Sequence, residues 1–312
     1  MVPADVSPRR KRSASFLVAF AVVSAATVPG AEAARTPRLD GTVLFLPVRG
    51  RVRLPGGIFV MGSTANDMVR AVLACRKEVL RSRCDDASNR FRAEGLAHEV
   101  VLSPFALDIT EVTVAAYGEC VAEGACAPPG FVPGDARFDR PDFPVTHVRW
   151  DDAVDYCRFR GGRLPTEAEW EFAARGPNGR EYPWGTNWNP HLANHGAFSH
   201  DETDATDGYL GLAPVGSFPD GRTPLGIHDL AGNVSEWVHD VYDVNENGFG
   251  YGEVAVKNPR GATSGGFHVI RGGSYEEGAP WLRGASRGFS TLMRTSTIGF
   301  RCAADAHFPE GD

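Results

Sequence analysis

HVIRGGSYEEGAPWLRGASRGFSTLMRTSTIGFRCA, residues 268–303, sets a dense group of polar and aromatic side chains between a glycine-pair turn and a cysteine near the C-terminus. Arg271-Gly272-Gly273 lacks a following Gly-x-x-x-x-Gly-Lys pattern or helix start, so the pair reads as a turn and not as a phosphate cradle. Beyond it Ser274, Tyr275, Glu276, Glu277, Trp281, Arg283 and Arg287 combine an aromatic floor with carboxylates and guanidinium groups. Binding residues concentrate on loops carried by a rigid scaffold, which makes these the candidate binding residues. The competing reading gives Trp281 and the arginines to packing and ion pairing. No cysteine lies between Ser274 and Cys302.

Working outward, residues 176–266 are crowded with Gly, Pro, Asn and Asp, which means turns and loops packed by aromatics such as Trp184, Trp188 and Trp237. Before them, Thr166 and Glu169 form a T-x-x-E capping box that opens a short helix presenting Trp170 and Phe172. Asp151 is placed to cap an earlier helix with Val154, Cys157 and Phe159 inward, ending at Gly161 and Gly162. Thr113 is an N-cap candidate for a helix through Val121, and 102–109 reads as one strand. Residues 66–82 carry Met68, Val69, Val72, Leu73, Val79 and Leu80 near helical spacing, and 56–62 reads as an opening strand entered and left through glycines. There is no internal repeat and no βαβ alternation that would indicate a parallel sheet. One domain is expected over residues 49–305, with a linker at 34–48 and a tail at 306–312.

The N-terminus differs. Arg9, Arg10, Lys11 and Arg12 precede an apolar run from Phe16 to Val28 and then Ala31-Glu32-Ala33, the pattern of a secretory signal peptide over residues 1–33. The run is too short for a bilayer core of roughly 30 Å. A retained signal anchor is the alternative; the Pro29-Gly30 break and the A-x-A site favour cleavage. An extracytoplasmic protein, periplasmic or secreted, is therefore expected, with no membrane insertion after cleavage. Net charge is −7, and residues 1–33 hold more base than acid, so the remainder is more acidic still. That argues against nucleic acid and anionic membrane as partners. Six cysteines in an exported chain read first as disulfides, and six allow fifteen connectivities. Cys120 with Cys126 and Cys75 with Cys84 are spaced as local staples, which leaves Cys157 and Cys302.

Several stretches together resemble the formylglycine-generating enzyme, or sulfatase-modifying factor, family: GGIFVMGS (56–63), ITEVTVAAY (109–117), PVTHVRWDDAVDYCRFRGGRLPTEAEWEFAARG (144–176), YPWG (182–185), LGIHDLAGNVSEWVHD (225–240) and the stretch quoted first. The resemblance implies an α+β fold with little regular secondary structure, related to the C-type lectin fold. It also implies a Cys157–Cys302 bridge, and it makes the helix at 66–82 with its Cys75–Cys84 staple an insertion. In the family's oxidases two cysteines after the RGGS turn bind one copper ion and oxidise a cysteine of a client sulfatase. Here Glu276 and Glu277 stand in roughly that place. Carboxylates are hard ligands and cannot hold Cu(I) as a thiolate pair does, so copper is not the expected cofactor.

Between residues 201 and 243 nine acids face one arginine, Arg222, a surplus that either a hard cation or solvent must compensate. The resemblance favours calcium in a structural role. It implies one site from the Asn194 and Asp207 side chains with the backbone carbonyls of His195 and Tyr209. It implies a second from Asp229 and Glu236 with the carbonyls of Gly232 and Val234. Asp243-Val-Asn245-Glu-Asn247-Gly248 begins like an EF-hand loop, but its twelfth position is Val254, so a turn is preferred. His191, His195 and His200 lack an HExxH pattern, and Pro190 and Gly196 speak against a zinc-binding helix. Ser199, His200 and Asp201 are adjacent in sequence, which is not triad geometry.

The reading is thus an exported, calcium-stabilised member of that family serving as a non-oxidase binding or accessory module, with an exported protein or glycan as partner. The alternatives are a formylglycine-generating oxidoreductase acting on protein cysteine without the pair, and lectin-like recognition of carbohydrate or protein.

Overall fold

A computed structural model of the chain describes residues 50–78, 84, 91–95, 97–197, 204–242, 256–262, 264–291 and 293–306. The expected signal peptide and linker, the EF-hand-like turn, the Ser199-His200-Asp201 run and residues 307–312 of the tail lie outside the described residues. The elements follow the order β1 (Arg51–Leu54), β2 (Gly57–Met61), α1 (Ala65–Glu78), β3 (His98–Leu102), β4 (Phe105–Asp108), α2 (Val114–Ala122), α3 (Trp150–Phe159) and α4 (Glu167–Arg175). After a long loop region come β5 (Ser235–Val241), β6 (Val256–Lys257), β7 (His268–Arg271), β8 (Arg287–Ser290), β9 (Ile298–Gly299) and β10 (Ala303–Asp305). This is an α+β fold of short elements.

Among the described residues the strands form three small sheets, ordered β1-β4-β10, β2-β3-β6 and β8-β7-β5-β9. In the first, Leu54 pairs with Phe105 and Ala303 with Leu107, so the two ends of the described chain share one sheet. In the third, Glu236 of β5 lies opposite Arg271 of β7, while Ser235 pairs with Ile298 of β9. That register sets the loop before β5 beside the turn after β7.

Helix α4 organises the interior. The expected capping box is present: the Glu169 N–H donates to Thr166 Oγ1 at 3.2 Å, and the Thr166 N–H donates to Glu169 Oε2 at 2.8 Å. Every residue of the helix is buried, including Glu167, Glu169, Glu171 and Arg175. Buried carboxylates persist only where they are paired. Arg271 donates to Glu171 at 2.7 Å, Arg287 to Glu167 at 2.7 Å, and Arg163 grips Glu169 with two bonds of 2.7 Å. Two arginines of the stretch 268–303 therefore anchor it to this helix. Around these pairs Phe59 and Phe105 meet Phe172 edge-on, and a second cluster gathers Tyr117, Tyr156, Trp237 and Phe300 about Cys157 and Cys302.

Three disulfides are formed, Cys75–Cys84, Cys120–Cys126 and Cys157–Cys302, so no cysteine is free. Thr113 caps α2 by accepting from the Ala116 N–H. Other expectations change. The span 102–109 holds the last residue of β3 and all of β4, because Ser103-Pro104 interrupts the ladder between them, and β1 precedes the expected opening strand. Arg149, not Asp151, occupies the cap of α3, with the Asp152 carboxylate accepting from its N–H at 2.8 Å, and Phe159 is 38% exposed. On α1, Ala71 and Cys75 are buried while Val69 and Leu73 face outward at 57% and 52% exposure. The disulfide draws the Cys75 face inward and rotates the larger side chains out. Residues 79–82 of that helix lie outside the described residues. Among the described residues no helix is long and apolar enough to cross a membrane.

Candidate functional site

The turn after β7 is built by its arginine and its glycines. Arg271 donates to the carbonyls of Gly284 and Ser286, at 2.8 and 2.6 Å, which pins the far side of the loop. Gly272 and Gly273 hold φ of 93° and 69°, a region open to glycine, and a Cβ on Gly273 would sit 3.0 Å from the Trp281 carbonyl oxygen. Within the turn the Ser274 N–H donates to Glu277 Oε2 at 3.2 Å and the Glu277 N–H to the Ser274 carbonyl at 3.0 Å.

The structure divides the seven candidate binding residues. Tyr275 and Glu276 are half-buried, whereas Ser274, Glu277, Trp281, Arg283 and Arg287 are buried. Trp281 stacks on Phe91 with centroids 4.7 Å apart, and the Arg283 guanidinium lies over that same Phe91 while pairing with Glu94. Arg287 pairs with Glu167 and covers Tyr242. The indole and both guanidinium groups thus carry structural contacts, and the half-buried face of the turn is Tyr275-Glu276.

Asn233 joins this turn to the two loops expected to hold calcium. Its carbonyl accepts from the Tyr275 N–H, its own N–H donates to the Asn194 carbonyl, and its Oδ1 accepts from Asn194 Nδ2 at 2.9 Å. Its Nδ2 donates to Glu111 Oε1 at 3.0 Å. Asn233 adopts φ of 60°, which asparagine tolerates better than other side chains. Gly232 is equally constrained: a Cβ there would overlap the Asn194 carbonyl oxygen.

Of the first expected calcium set, Asp207 is brought against His195 and Tyr209. Asp207 accepts from the His195 N–H at 2.7 Å and from the Tyr209 N–H at 2.8 Å, so its carboxylate lies against both residues assigned backbone carbonyls. Burial raises the Asp207 carboxyl above the usual range, against the pull of those two N–H groups. Asn194 is buried, and its Oδ1 has no hydrogen-bond partner. An orphaned buried amide oxygen one residue from a main-chain N–H that binds a carboxylate is donor chemistry of the oxygen type a hard cation takes. His191 lies in the single turn Pro190–Leu192 and shares no α-helical face with His195.

Of the second set, Asp229 and Glu236 lie near each other, together with an acid and a base that the sequence did not single out. Asp229 adopts φ of 58° and accepts from the Gly216 N–H at 2.6 Å. Glu236 accepts from Trp170 Nε1 at 2.8 Å and is clasped by Arg301 through two bonds of 2.7 Å. Glu111 stands beside Asp229, fully enclosed, and burial followed by the charge of Asp229 pushes its carboxyl well up. Three carboxylates face one guanidinium. The donors are oxygens only, but Glu236 already spends both of its oxygens on Arg301 and Trp170. Among the described residues no three His, Cys, Asp or Glu side chains converge as a metal-binding group. A cation at either place would therefore draw on amide and backbone carbonyl oxygens. Soft Cu(I) has no fit: each cysteine is in a disulfide, and the turn offers carboxylates.

A scaffold of short elements and long loops, tied by disulfides and buried ion pairs around a glycine turn, defines a domain of the sulfatase-modifying-factor type. The profile of the sulfatase-modifying factor enzyme 1-like domain matches residues 43–306, and the chain belongs to that family as a member lacking the copper-binding cysteine pair. It is 37% identical over 295 residues to a formylglycine-generating enzyme of Streptomyces coelicolor, covering 84% of this chain and 91% of that protein. It is 31% identical over 311 residues to a Mus musculus protein described as inactive C-alpha-formylglycine-generating enzyme 2, covering 84% and 87%. Among solved structures, PvdO from Pseudomonas aeruginosa aligns with a TM-score of 0.61 and 27% identity, over 82% of this chain and 94% of PvdO.

Proposed function

We propose that this chain is an exported, calcium-stabilised binding or accessory member of its family that does not oxidise a client cysteine. One observation carries the reading: each of the six cysteines is locked in a disulfide, and the turn presents Glu276 and Glu277 instead of thiols. Thiolates bind Cu(I) because both partners are soft, and a carboxylate pair does not replace them. The disulfides support export to an oxidising compartment. The partnerless Asn194 Oδ1, and Asp207 bound to the next residue's N–H, support calcium. A mouse relative described as an inactive C-alpha-formylglycine-generating enzyme 2 is consistent with this reading. The partner in this reading is an exported protein or a glycan, with no role for nucleic acid.

The competing reading, an oxidoreductase of protein cysteine, draws on the Streptomyces relative. One assay separates them. The purified protein is incubated with and without Cu(I) and a peptide bearing Cys-x-Pro-x-Arg, and aldehyde product is sought by mass spectrometry, with the Streptomyces enzyme as positive control. No product is expected. Aldehyde formation overturns the proposal.

A further inference from the structure

Away from the turn, a groove of about 580 Å³ runs between α3 and the end of β5 and is lined by Trp150, Val154, Arg158, Arg163, His239 and Arg260. Its volume falls within the roughly 300–1,000 Å³ of small-molecule sites. The Trp150 ring is fixed in orientation: its Nε1 donates to the Val238 carbonyl at 2.7 Å, and His268 stacks on it with centroids 4.0 Å apart. Such a rigid indole offers apolar area at little entropic cost. One wall is equally fixed, since Arg163 is held by Glu169 and by Asp305.

Two other guanidinium groups in the groove are not neutralised in this way. Arg158 has only Asp155, at 3.6 Å, with both side chains exposed, and such a pair contributes little. Arg260 has no carboxylate partner among the described residues, and its charge reaches His239, which burial and then the charges of Arg260 and Arg163 hold below its ordinary pKa. The lining also carries Glu169 and Asp305, both turned to Arg163, so Arg158 and Arg260 are the guanidinium groups left for a ligand beside the aromatic floor. Guanidinium forks match carboxylate-type oxyanions, and an indole face packs against a flat ring or the C–H face of a sugar.

We propose that this groove binds a small ring-bearing organic anion, a sugar acid or an aromatic acid, with Trp150 under the ring and Arg158 and Arg260 on the anionic group.

Titration calorimetry tests this on the purified protein with four probes: glucuronate, benzoate, glucose and inorganic sulfate. Saturable binding of glucuronate or benzoate is expected, and which of the two binds tells sugar acid from aromatic acid. Glucose and sulfate should bind at least about tenfold more weakly, since each lacks one half of the recognition. Arg260→Ala and Arg158→Ala remove exposed side chains, so both should keep the parental melting temperature while each weakens the acid about tenfold. The proposal falls if neither acid saturates, if glucose or sulfate binds as tightly as the acids, or if both variants bind with unchanged affinity.

Discussion

Arg301 and Glu236 face each other with no solvent exposure on either side chain, and Glu111 and Asp229 add their charges to the same space. At this place one guanidinium is set against three carboxylates, and Arg301 supplies the positive charge that Glu236 pairs with. Arg301→Met should therefore cost about 3–5 kcal/mol, the size expected when one member of a buried pair is removed. Urea unfolding would measure it, and the double variant Arg301→Met with Glu236→Gln should recover part of the loss because it removes the stranded charge. Little of this was visible in the sequence. Arg301 lies inside GFRC and Asn233 inside LAGNVSEW, so both sat within stretches that carry the family pattern, yet nothing in their spacing marks them as hubs. Glu111 gave one usable signal, an acid set between Ile109 and Val112 where an apolar side chain belongs. Asp207 reaches the segment next to Asn194 by accepting from the His195 N–H, and the Asn194 carbonyl passes so close to Gly232 that a Cβ there would overlap it. Trp281, Arg283 and Arg287 drew attention as exposed-loop chemistry and proved buried. Sequence shows the chemical type of a side chain, while Phe91, Glu94 and Glu167, which enclose these three, come from distant segments.

The short helices were legible where a local signal fixes them. Thr113 and the Thr166/Glu169 box begin α2 and α4 because the capping bonds close within four residues and need no tertiary partner. The face that a helix buries was less legible. On α1 the periodic apolar residues Val69 and Leu73 point outward, since the Cys75–Cys84 bridge decides the rotation. Helix α4 inverts the usual expectation for charged residues: its three glutamates are interior because arginines of β7, β8 and the preceding loop reach them. The disulfides differ sharply in span, with sequence separations of 145 for Cys157–Cys302 and 6 for Cys120–Cys126. In the chain-entropy picture the long loop stabilises by about 5 kcal/mol and the short one by about 2 kcal/mol. Replacing Cys157 and Cys302 by alanine should accordingly lower the urea midpoint more than replacing Cys120 and Cys126. Equal losses would show that strain or residual structure in the unfolded chain, not loop length, sets these contributions.

Stability of the entire chain should respond to acid and to chelators for separate reasons. His147, His239 and His268 are each held below the ordinary 6.5, with burial the first cause. Above that value the imidazoles are neutral folded or unfolded, and their stabilising contribution is complete. As pH falls through 6.5 the unfolded chain takes up protons before the folded one does, so stability declines until the folded histidines protonate as well. The histidine contribution should thus fall between about pH 7.5 and about pH 5.5, opposed by the raised Glu111 carboxyl, so it is read as the difference between the melting profiles of the parent and of a His239→Gln, His268→Gln variant; parallel profiles would show these rings are not shielded as described. Chelation acts through ligand linkage. A cation that binds only the folded chain stabilises it by about 4 kcal/mol when its concentration is a thousand times its dissociation constant. Asn194 Oδ1 has no partner in the protein, and the acids around Asp229 outnumber the nearby arginine, so a divalent cation would relieve two separate deficits. Removing calcium with EGTA should lower the melting temperature, and added Ca²⁺ should restore it. Mg²⁺ should restore less, because it demands tight octahedral geometry that loop carbonyls supply poorly. Asn194→Ala should remove most of the calcium response; it also strips the Nδ2 bonds to Gly211 and Asn233, so each calcium shift is read against the same protein's chelated melt. An unchanged melt together with no bound calcium by metal analysis would leave the acidic loops as a solvated surface and withdraw calcium from the proposed function.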